Sequence, residues 1–294
     1  MKAELWTIRD IMNWSVPYLK KSGSLSARLD TELLLAESLN CQRIDLYLHH
    51  DKPLNMEERQ KFRALLKRRA AGEPIPYILK EREFYGLSFE VTPDVLIPRP
   101  ETEHLVEIAE RLLQEAAGGR TPQRVLDIGT GSGCIAIALK KQLPAIQVEA
   151  WDICEKALDV AQSNSERHEV AIDFRKEDAL NDMAWTVERP LFDVICSNPP
   201  YISHDEKANL PNSVLSFEPH RALFAADDGL SFYRKLAQHA HLKLYPLGSV
   251  VCEIGYQQGL VVSDIFKHHG WLDVSLHKDL AGLDRVITAR RATS

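Results

Sequence analysis

Apolar residues recur every three or four positions through the first 80 or so residues, which is the spacing of one face of an α-helix. The repeats are clearest in Leu5-Ile8-Ile11-Met12, Leu29-Leu33-Leu34-Ala36 and Phe62-Leu65-Leu66. Ser26 is a candidate cap for the second helix, and Asn55 with Glu58 is typical of a capping box that opens the third. Residues 1–82 are therefore predicted to form a small N-terminal all-α domain.

The pattern changes between residues 83 and 100. Aromatic and β-branched residues flank Gly86, in Phe84-Tyr85 on one side and Phe89-Glu90-Val91 on the other, which predicts a short β-hairpin. Three prolines then follow within eight residues, and their fixed φ angles predict a stiff linker.

From residue 101 onward, short apolar runs rich in β-branched residues alternate with apolar stretches of helical spacing. The runs predict strands at residues 124–129, 147–152, 171–175, 192–197, 248–254, 271–276 and 285–289. Such alternation predicts an α/β domain over residues 101–294, with a mostly parallel sheet and helices on both of its faces. A ligand crevice is then expected at the carboxyl ends of the strands.

Charge and composition exclude several classes of protein. The chain has 36 Lys and Arg against 42 Asp and Glu, a net charge of -6, which argues against a protein that mainly neutralises nucleic-acid phosphates. Residues 1–82 differ, with 15 basic and 11 acidic side chains. No apolar run approaches the roughly 20 residues of a membrane helix, and the N-terminus does not resemble a signal peptide. We expect a cytoplasmic protein with reduced cysteines and, because its paired histidines have no companion ligands, no metal site.

A glycine-rich turn follows the first predicted strand of the α/β domain, in the run Asp127-Ile128-Gly129-Thr130-Gly131-Ser132-Gly133. Its glycines allow the backbone to approach a ligand closely, beside the free N–H groups of a helix N-terminus. The spacing departs from the dinucleotide fingerprint and from the P-loop, and alone it is compatible with a structural turn or a dehydrogenase loop. Asp152 ends the next predicted strand, where a carboxylate can accept hydrogen bonds from two ribose hydroxyls.

Together, the turn and Asp152 resemble the class I S-adenosylmethionine-dependent methyltransferases. The resemblance implies a Rossmann-like, seven-stranded sheet, with S-adenosyl-L-methionine as cofactor and S-adenosyl-L-homocysteine as product. It implies that the amino-acid end of the cofactor is held by Asp127, Gly129, Thr130, Gly131, Ser132 and Gly133. Asp152 would then hold the ribose, and Asp178 with Ala179 would face the adenine, with the adjacent Glu177 as an alternative for that contact.

Asn198-Pro199-Pro200-Tyr201 directly follows the fourth predicted strand. The two prolines exclude a helix and restrict the backbone, so the Asn198 side chain and the Pro199 carbonyl can present two hydrogen-bond acceptors side by side. Two acceptors suit an NH2 group on an sp2 carbon, whose nitrogen they can orient towards a methyl donor, and Tyr201 can stack on the planar group. The other interpretation is a Pro-Pro turn that merely ends a strand.

The motif alone leaves the substrate open, because similar motifs serve enzymes that methylate adenine N6, cytosine N4, guanine N2 or glutamine amides. Further segments make the whole chain similar to the PrmC/HemK family, the N5-glutamine methyltransferases that act on peptide chain release factors. These segments are Gly72-Glu73-Pro74-Ile75, Glu83-Phe84-Tyr85-Gly86, Leu96-Ile97-Pro98-Arg99-Pro100-Glu101-Thr102-Glu103, Phe217-Glu218-Pro219, Glu253-Ile254-Gly255-Tyr256-Gln257-Gln258-Gly259 and Lys278-Asp279-Leu280-Ala281-Gly282.

This resemblance implies methylation of the side-chain amide nitrogen of the glutamine in the Gly-Gly-Gln motif of class I release factors, which modulates translation termination. Asn198, Pro199, Pro200 and Tyr201 would bind that glutamine. Asn198, Pro199 and Tyr201 would be the catalytic residues, and Asn198 would also contact the cofactor near its methyl group.

Other features of the chain leave alternatives. Some family members have a Trp at the position of Ala179, so the adenine contact there could be made by backbone only. The Pro98-Arg99-Pro100 loop either closes over cofactor or substrate, anchored by Arg99 and Glu101, or is only a linker.

Residues 1–82 are expected to dock the body of the release factor. We expect a monomer that contacts neither nucleic acid nor membrane directly. The alternatives are a DNA or RNA amino-methyltransferase and a cofactor-binding adaptor of the termination apparatus.

Overall fold

The computed structural model describes residues 6–116, 121–186 and 191–293. Its contacts divide the chain into two compact units, Met1–Glu81 with Pro211–Phe217, and Arg82–Leu210 with Glu218–Ser294. The grouping of residues 211–217 with the first unit differs from the continuous domain that we expected over residues 101–294. Packing explains the difference, because the Phe217 ring lies beside Gly72. A Cβ added to Gly72 would be 3.7 Å from that ring.

The N-terminal part of the first unit contains five helices. They are α1 (Ile8–Lys21), α2 (Ala27–Leu39), α3 (Arg43–Leu48), α4 (Met56–Ala70) and α5 (Ile75–Leu79). The predicted capping box of α4 is confirmed, because Asn55 Oδ1 accepts from the Glu58 N–H at 2.9 Å while the Glu58 carboxylate accepts from the Asn55 N–H at 2.8 Å. Ser26 precedes α2 but does not cap it. Its φ and ψ angles of -119° and 37° differ from the extended backbone of a capping residue, and its hydroxyl donates to Asp30 Oδ1 at 3.0 Å.

The predicted hairpin is formed by β1 (Glu81–Phe84) and β2 (Leu87–Glu90). Tyr85 and Gly86, with φ angles of 52° and 70°, occupy the left-handed region that a two-residue hairpin turn of type I′ requires.

Seven further strands form the main sheet of the second unit. They are β3 (Arg124–Ile128), β4 (Gln147–Asp152), β5 (Asp173–Lys176), β6 (Phe192–Ser197), β7 (Leu244–Glu253), β8 (Leu272–Lys278) and β9 (Asp284–Arg290). Their order is β5-β4-β3-β6-β7-β9-β8, parallel from β5 to β7 and antiparallel at β9 and β8. All seven predicted strands are confirmed, although β7 begins four residues earlier than predicted and β5 two residues later.

The remaining α-helices are α6 (Thr102–Glu115), α7 (Cys134–Gln142), α8 (Glu155–Arg167), α9 (Asn212–Phe217), α10 (Ser231–His239) and α11 (Gly259–His268). No helix of the described residues combines the length and the apolar character needed to cross a membrane.

The main sheet has a hydrophobic core on each face. Val125 belongs to a buried cluster with α6 and α7, whereas its neighbour Leu126 belongs to a second cluster with α10 and α11. Successive side chains of a strand point to opposite faces, so helices cover both sides of the sheet, as predicted. Cys134, Cys196 and Cys252 are buried in these cores, and all five cysteines are free.

The connections run outward in two directions from β3. The chain proceeds from β3 to β4 and β5 on one side, then returns to β6 on the other. This reversal of strand order leaves a crevice beyond the carboxyl ends of β3, β4 and β6, which is where α/β sheets bind ligands.

Candidate active site

A cavity of about 360 Å³ opens at the carboxyl ends of β3, β4, β5 and β6, and we call it the main cavity. Its walls are drawn from residues 94–102, 128–135, 152–157, 177–180, 198–200, 221–224 and 232, all within the second unit. The fold therefore brings together the glycine-rich turn, Asp152 and the Asn-Pro-Pro motif, which are far apart along the chain.

The glycine-rich turn presents bare backbone to this cavity. Gly129 and Gly131 have φ angles of 74° and 55°, and a Cβ added to either would meet no atom within 4 Å. Glycine is required there by the left-handed conformation, and the space that a side chain would occupy is left to a ligand. The N–H groups of Gly129 and Thr130 both donate to the Trp151 carbonyl, at 2.9 and 3.0 Å, which fixes the turn against the end of β4.

Asp152 lies at the end of β4 and lines the main cavity. Its Oδ1 accepts from the Cys154 N–H at 2.8 Å and its Oδ2 from the Gly131 N–H at 2.9 Å. Burial raises the pKa of this carboxyl, while these backbone donors favour the ionised form. Each carboxylate oxygen can accept a second hydrogen bond, so both remain able to bind ribose hydroxyls.

Asp127 and Gly133 lie behind the turn and do not line the main cavity. Asp127 is fully buried, and its Oδ2 accepts from the Thr130 hydroxyl at 2.7 Å. Burial raises the pKa of Asp127 to about 7. A Cβ on Gly133 would lie 3.0 Å from Ile137 Cδ1 and 3.2 Å from Ala161 Cβ, so this glycine allows close helix packing. Direct contact of either residue with a cofactor stays a prediction.

The segment after β5 forms the far wall of the main cavity, where Glu177, Asp178, Ala179 and Leu180 all contribute. Asp178 Oδ1 accepts from the Leu180 N–H at 2.9 Å, which shapes the turn. The adenine roles of Asp178 and Ala179 stay predictions.

The Asn198 side chain is held by a chain of hydrogen bonds. Its Nδ2 donates to Thr102 Oγ1 at 3.0 Å, and the Thr102 hydroxyl donates to Glu253 Oε2 at 2.6 Å. Thr102 opens α6, and Glu253 ends β7. Asn198, Pro199 and Pro200 line the main cavity beside Thr102.

Tyr201 is placed differently from its three predecessors in the motif. Its ring packs partly buried against a sheet core and does not line the main cavity. Burial, with the nearby Glu253 carboxylate, raises the pKa of Tyr201 well above its usual value. Its backbone oxygen accepts from Gln258 Nε2 at 2.9 Å. The predicted stacking of Tyr201 on a target group stays a prediction.

Comparison with known proteins agrees with this site. Residues 10–79 match the PrmC N-terminal domain, and residues 102–216 match the methyltransferase small domain. A release factor glutamine methyltransferase of Geobacter sulfurreducens is 43% identical over 98% of this chain and 98% of its own length. One of Rhodopirellula baltica is 39% identical over 98% of this chain and 97% of its own. The chain belongs to the release factor glutamine methyltransferase family.

The fold comparison is consistent with this family. A methyltransferase from Pyrococcus furiosus superposes with a TM-score of 0.51 at 18% identity, covering 80% of this chain and 98% of that one, which shows the fold. The methyl donor of this chain is S-adenosylmethionine, as predicted. The main cavity fits S-adenosylmethionine. The open space at Gly129 and Gly131 suits its methionine part, and the unused lone pairs of Asp152 suit its ribose. The exposed apolar side chains of Ile153 and Leu180 suit its adenine.

The Pro98-Arg99-Pro100 loop of this methyltransferase is anchored by an ion pair between the partly exposed Arg99 and a buried carboxylate. Arg99 Nη2 lies 2.6 Å from Glu218 Oε1, and the Glu218 side chain is only 2% exposed. Glu218 Oε2 also accepts from the Ile97 N–H at 3.4 Å. The anchoring role predicted for Arg99 therefore has a named partner. Glu101 precedes α6 and does not line the main cavity.

Four residues that support the motif had no predicted role. Thr102, backed by Glu253, holds the Asn198 side chain, and Gln258 holds the Tyr201 carbonyl. The Tyr201 carbonyl oxygen lies so close to Gly229 that a Cβ added to this glycine would be only 2.1 Å from it. Thr102, Glu253 and Gln258 lie within the segments that resemble the family, and this was the one sequence signal that pointed to them. Among the described residues no group of three or more His, Cys, Asp or Glu side chains could hold a metal ion.

Proposed function

We propose that this chain transfers the methyl group of S-adenosylmethionine to the side-chain amide nitrogen of the glutamine in the Gly-Gly-Gln motif of class I release factors. The observation that carries the proposal is that Asn198 and Pro199 share one cavity with the glycine-rich turn and Asp152. The relatives support the choice of glutamine, because three relatives that each match 98% of the chain are named release factor glutamine methyltransferases. They do not favour a nucleic-acid amino-methyltransferase.

The chemistry follows from the acceptors that Asn198 and Pro199 provide. Bound S-adenosylmethionine supplies an electrophilic methyl group on its sulfonium. Asn198 Oδ1 and the Pro199 carbonyl oxygen each accept a hydrogen bond from one N–H of the target amide. The two bonds aim the amide nitrogen at that methyl group. They continue to hold the nitrogen as the N–C bond forms and the C–S bond breaks, and they stabilise the positive charge that develops on it. The surplus proton then leaves the nitrogen for solvent, so the site needs no strong general base.

Positioning provides most of the acceleration in this scheme. Holding two reactants in line within a preorganised site can lower a barrier by roughly 7–11 kcal/mol. The hydrogen bonds that fix the turn, Asp152 and Asn198 supply such preorganisation on the protein side.

Transfer of a labelled methyl group tests this function. The acceptors are purified release factor, its variant with Gln replaced by Ala in the Gly-Gly-Gln loop, DNA and RNA. We expect label on the unmodified factor alone. Label on nucleic acid alone, or equal label on both factors, would contradict the glutamine assignment.

We also propose that the first unit docks the body of the release factor. Residues 1–82 have four more basic than acidic side chains, and the exposed apolar residues Trp14, Ile44 and Leu48 lie among them. A groove of about 440 Å³ is lined by apolar side chains and by the polar residues Arg9, Asn13, Arg28, Tyr47 and His50. An acidic surface with apolar side chains would complement this composition.

Trp14→Ala tests the docking role, with Leu260→Ala as its control, because Leu260 is an apolar residue of the second unit that is even more exposed than Trp14. We expect Trp14→Ala to raise KM for intact release factor and to leave KM for a short Gly-Gly-Gln peptide unchanged. Equal effects on both substrates, or an equal effect of Leu260→Ala, would contradict docking by this unit.

A further inference from the structure

The two ends of an asparagine amide are nearly the same size and have opposite hydrogen-bonding character. The oxygen accepts, whereas the NH2 group only donates. A site that binds a target NH2 group therefore works only if Asn198 turns its oxygen towards the target. Exchanging the two ends would place donors against donors.

The structure contains a set of contacts that fixes this choice. Asn198 Nδ2 lies 3.0 Å from Thr102 Oγ1, and Thr102 Oγ1 lies 2.6 Å from Glu253 Oε2. A threonine hydroxyl has one proton, and this one is donated to Glu253, so its oxygen can only accept from Asn198. No described residue donates a hydrogen bond to Asn198 Oδ1, which leaves that oxygen for a ligand.

Burial of Thr102 and Glu253 makes it costly to reverse the Asn198 amide. Thr102 is 2% and Glu253 is 1% exposed, so water cannot readily replace a lost partner of either. If Asn198 reversed its amide, its oxygen would face the Thr102 oxygen. The Thr102 proton would then have to leave Glu253, and a buried carboxylate oxygen would lose its donor, which is costly.

We propose that Thr102 and Glu253 are positioning residues that hold the Asn198 amide with its oxygen towards the target nitrogen, and so make the site selective for an NH2 nucleophile. The inference rests on the proposed function, because it assigns Asn198 as an acceptor for the target amide. It extends that function to two buried residues that need not contact target or cofactor.

The central comparison is Thr102→Val against Thr102→Ser, in the full-length protein. Valine has nearly the shape of threonine and no hydroxyl, whereas serine keeps the hydroxyl. We expect Thr102→Val to lower kcat by about 10- to 100-fold, the scale of a misplaced reacting group, with little change in KM or in the Kd of S-adenosylmethionine. Thr102→Ser should restore most of kcat.

A spectroscopic measurement tests the orientation without any substrate. In 15N-labelled protein the Asn198 side-chain NH2 signals are identified by their disappearance in Asn198→Asp. We expect slow exchange of these protons with solvent in the wild type and in Thr102→Ser, and fast exchange in Thr102→Val. Thr102→Ala provides a second hydroxyl-free variant should Thr102→Val fail to bind the cofactor.

Two results would overturn the proposal. One is a kcat that is unchanged in the hydroxyl-free variants, or lowered equally in Thr102→Ser. The other is Asn198 NH2 exchange that does not respond to Thr102. Failure of the proposed function gives a different result, namely wild-type protein that methylates no release factor. In that case the exchange measurement still decides the orientation of Asn198.

Discussion

The backbone N–H of Gly131 donates a hydrogen bond of 2.9 Å to Oδ2 of Asp152. This bond joins the turn after β3 to the end of β4, two adjacent parallel strands whose carboxyl ends form the main cavity. One carboxylate is therefore placed for two functions. It fixes the turn, and we propose that its remaining lone pairs bind the ribose of the cofactor.

Asp152→Ala is expected to weaken the binding of S-adenosylmethionine. Loss of charged hydrogen bonds of this kind costs about 1–3 kcal/mol, which raises Kd by roughly 5- to 150-fold. Isothermal titration calorimetry measures the change. Glu155→Ala removes an exposed carboxylate nearby and should leave Kd unaltered. An unchanged Kd for Asp152→Ala would contradict the ribose role.

Asn198→Ala is expected to reduce turnover by at least about 100-fold, the scale of losing a group that stabilises the transition state. Binding of S-adenosylmethionine should persist, because Asp152 and the glycine-rich turn are intact. Methyl transfer to release factor and calorimetry with the cofactor measure the two properties separately. If this variant no longer bound the cofactor, the separation of roles between Asn198 and Asp152 would be wrong.

The pH dependence of kcat is expected to report Glu253. Burial raises the pKa of this carboxyl to about 7, opposed by the Thr102 hydroxyl, by the Arg285 charge and by Tyr201, and reinforced by Glu101. Above that pH the ionised group can only accept, so the Thr102 proton points to it. Below that pH the protonated group can donate to Thr102, and the orientation of Asn198 is no longer fixed. We therefore expect kcat to rise with pH through about 7 and then to level.

Glu253→Gln provides the control for this profile. The variant has no titrating group at this position, so its kcat should vary much less between pH 6 and 8. The pKa of Asp127 also lies at about 7, but that residue is behind the turn, and its ionisation should appear in cofactor binding instead. An identical kcat profile for the wild type and Glu253→Gln would show that another group titrates.

The sequence predicts the elements of the fold well and the partners of the site poorly. Each strand leaves a local signature of apolar and β-branched residues, so all seven were found. The pairing of Thr102 with Asn198 and with Glu253 joins positions 96 and 151 residues apart. Local periodicity reports whether a side chain is buried and does not report which distant side chain it meets. The placement of Tyr201 against the core was missed for the same reason.

Gly229 shows how a distant backbone position can fix the Asn198-Pro199-Pro200-Tyr201 motif. Its φ angle is 81°, and an added Cβ would lie 2.1 Å from the Tyr201 carbonyl oxygen and 2.9 Å from the carbonyl carbon. That carbonyl is already held by Gln258, so it cannot easily move away. Gly229→Ala should therefore displace the motif as well as strain its own backbone.

Gly270→Ala separates these two effects, because Gly270 has nearly the same φ angle, 80°, and an added Cβ would meet nothing within 4 Å. Left-handed strain alone costs about 1–2 kcal/mol, and we expect that loss in the unfolding free energy of both variants. Only Gly229→Ala should also lower kcat, by at least about 10-fold, since small displacements of reacting groups cost that much or more. Urea unfolding measures the first quantity and methyl transfer the second. If Gly229→Ala and Gly270→Ala had the same kcat, the close approach of Gly229 to Tyr201 would have no part in positioning the motif.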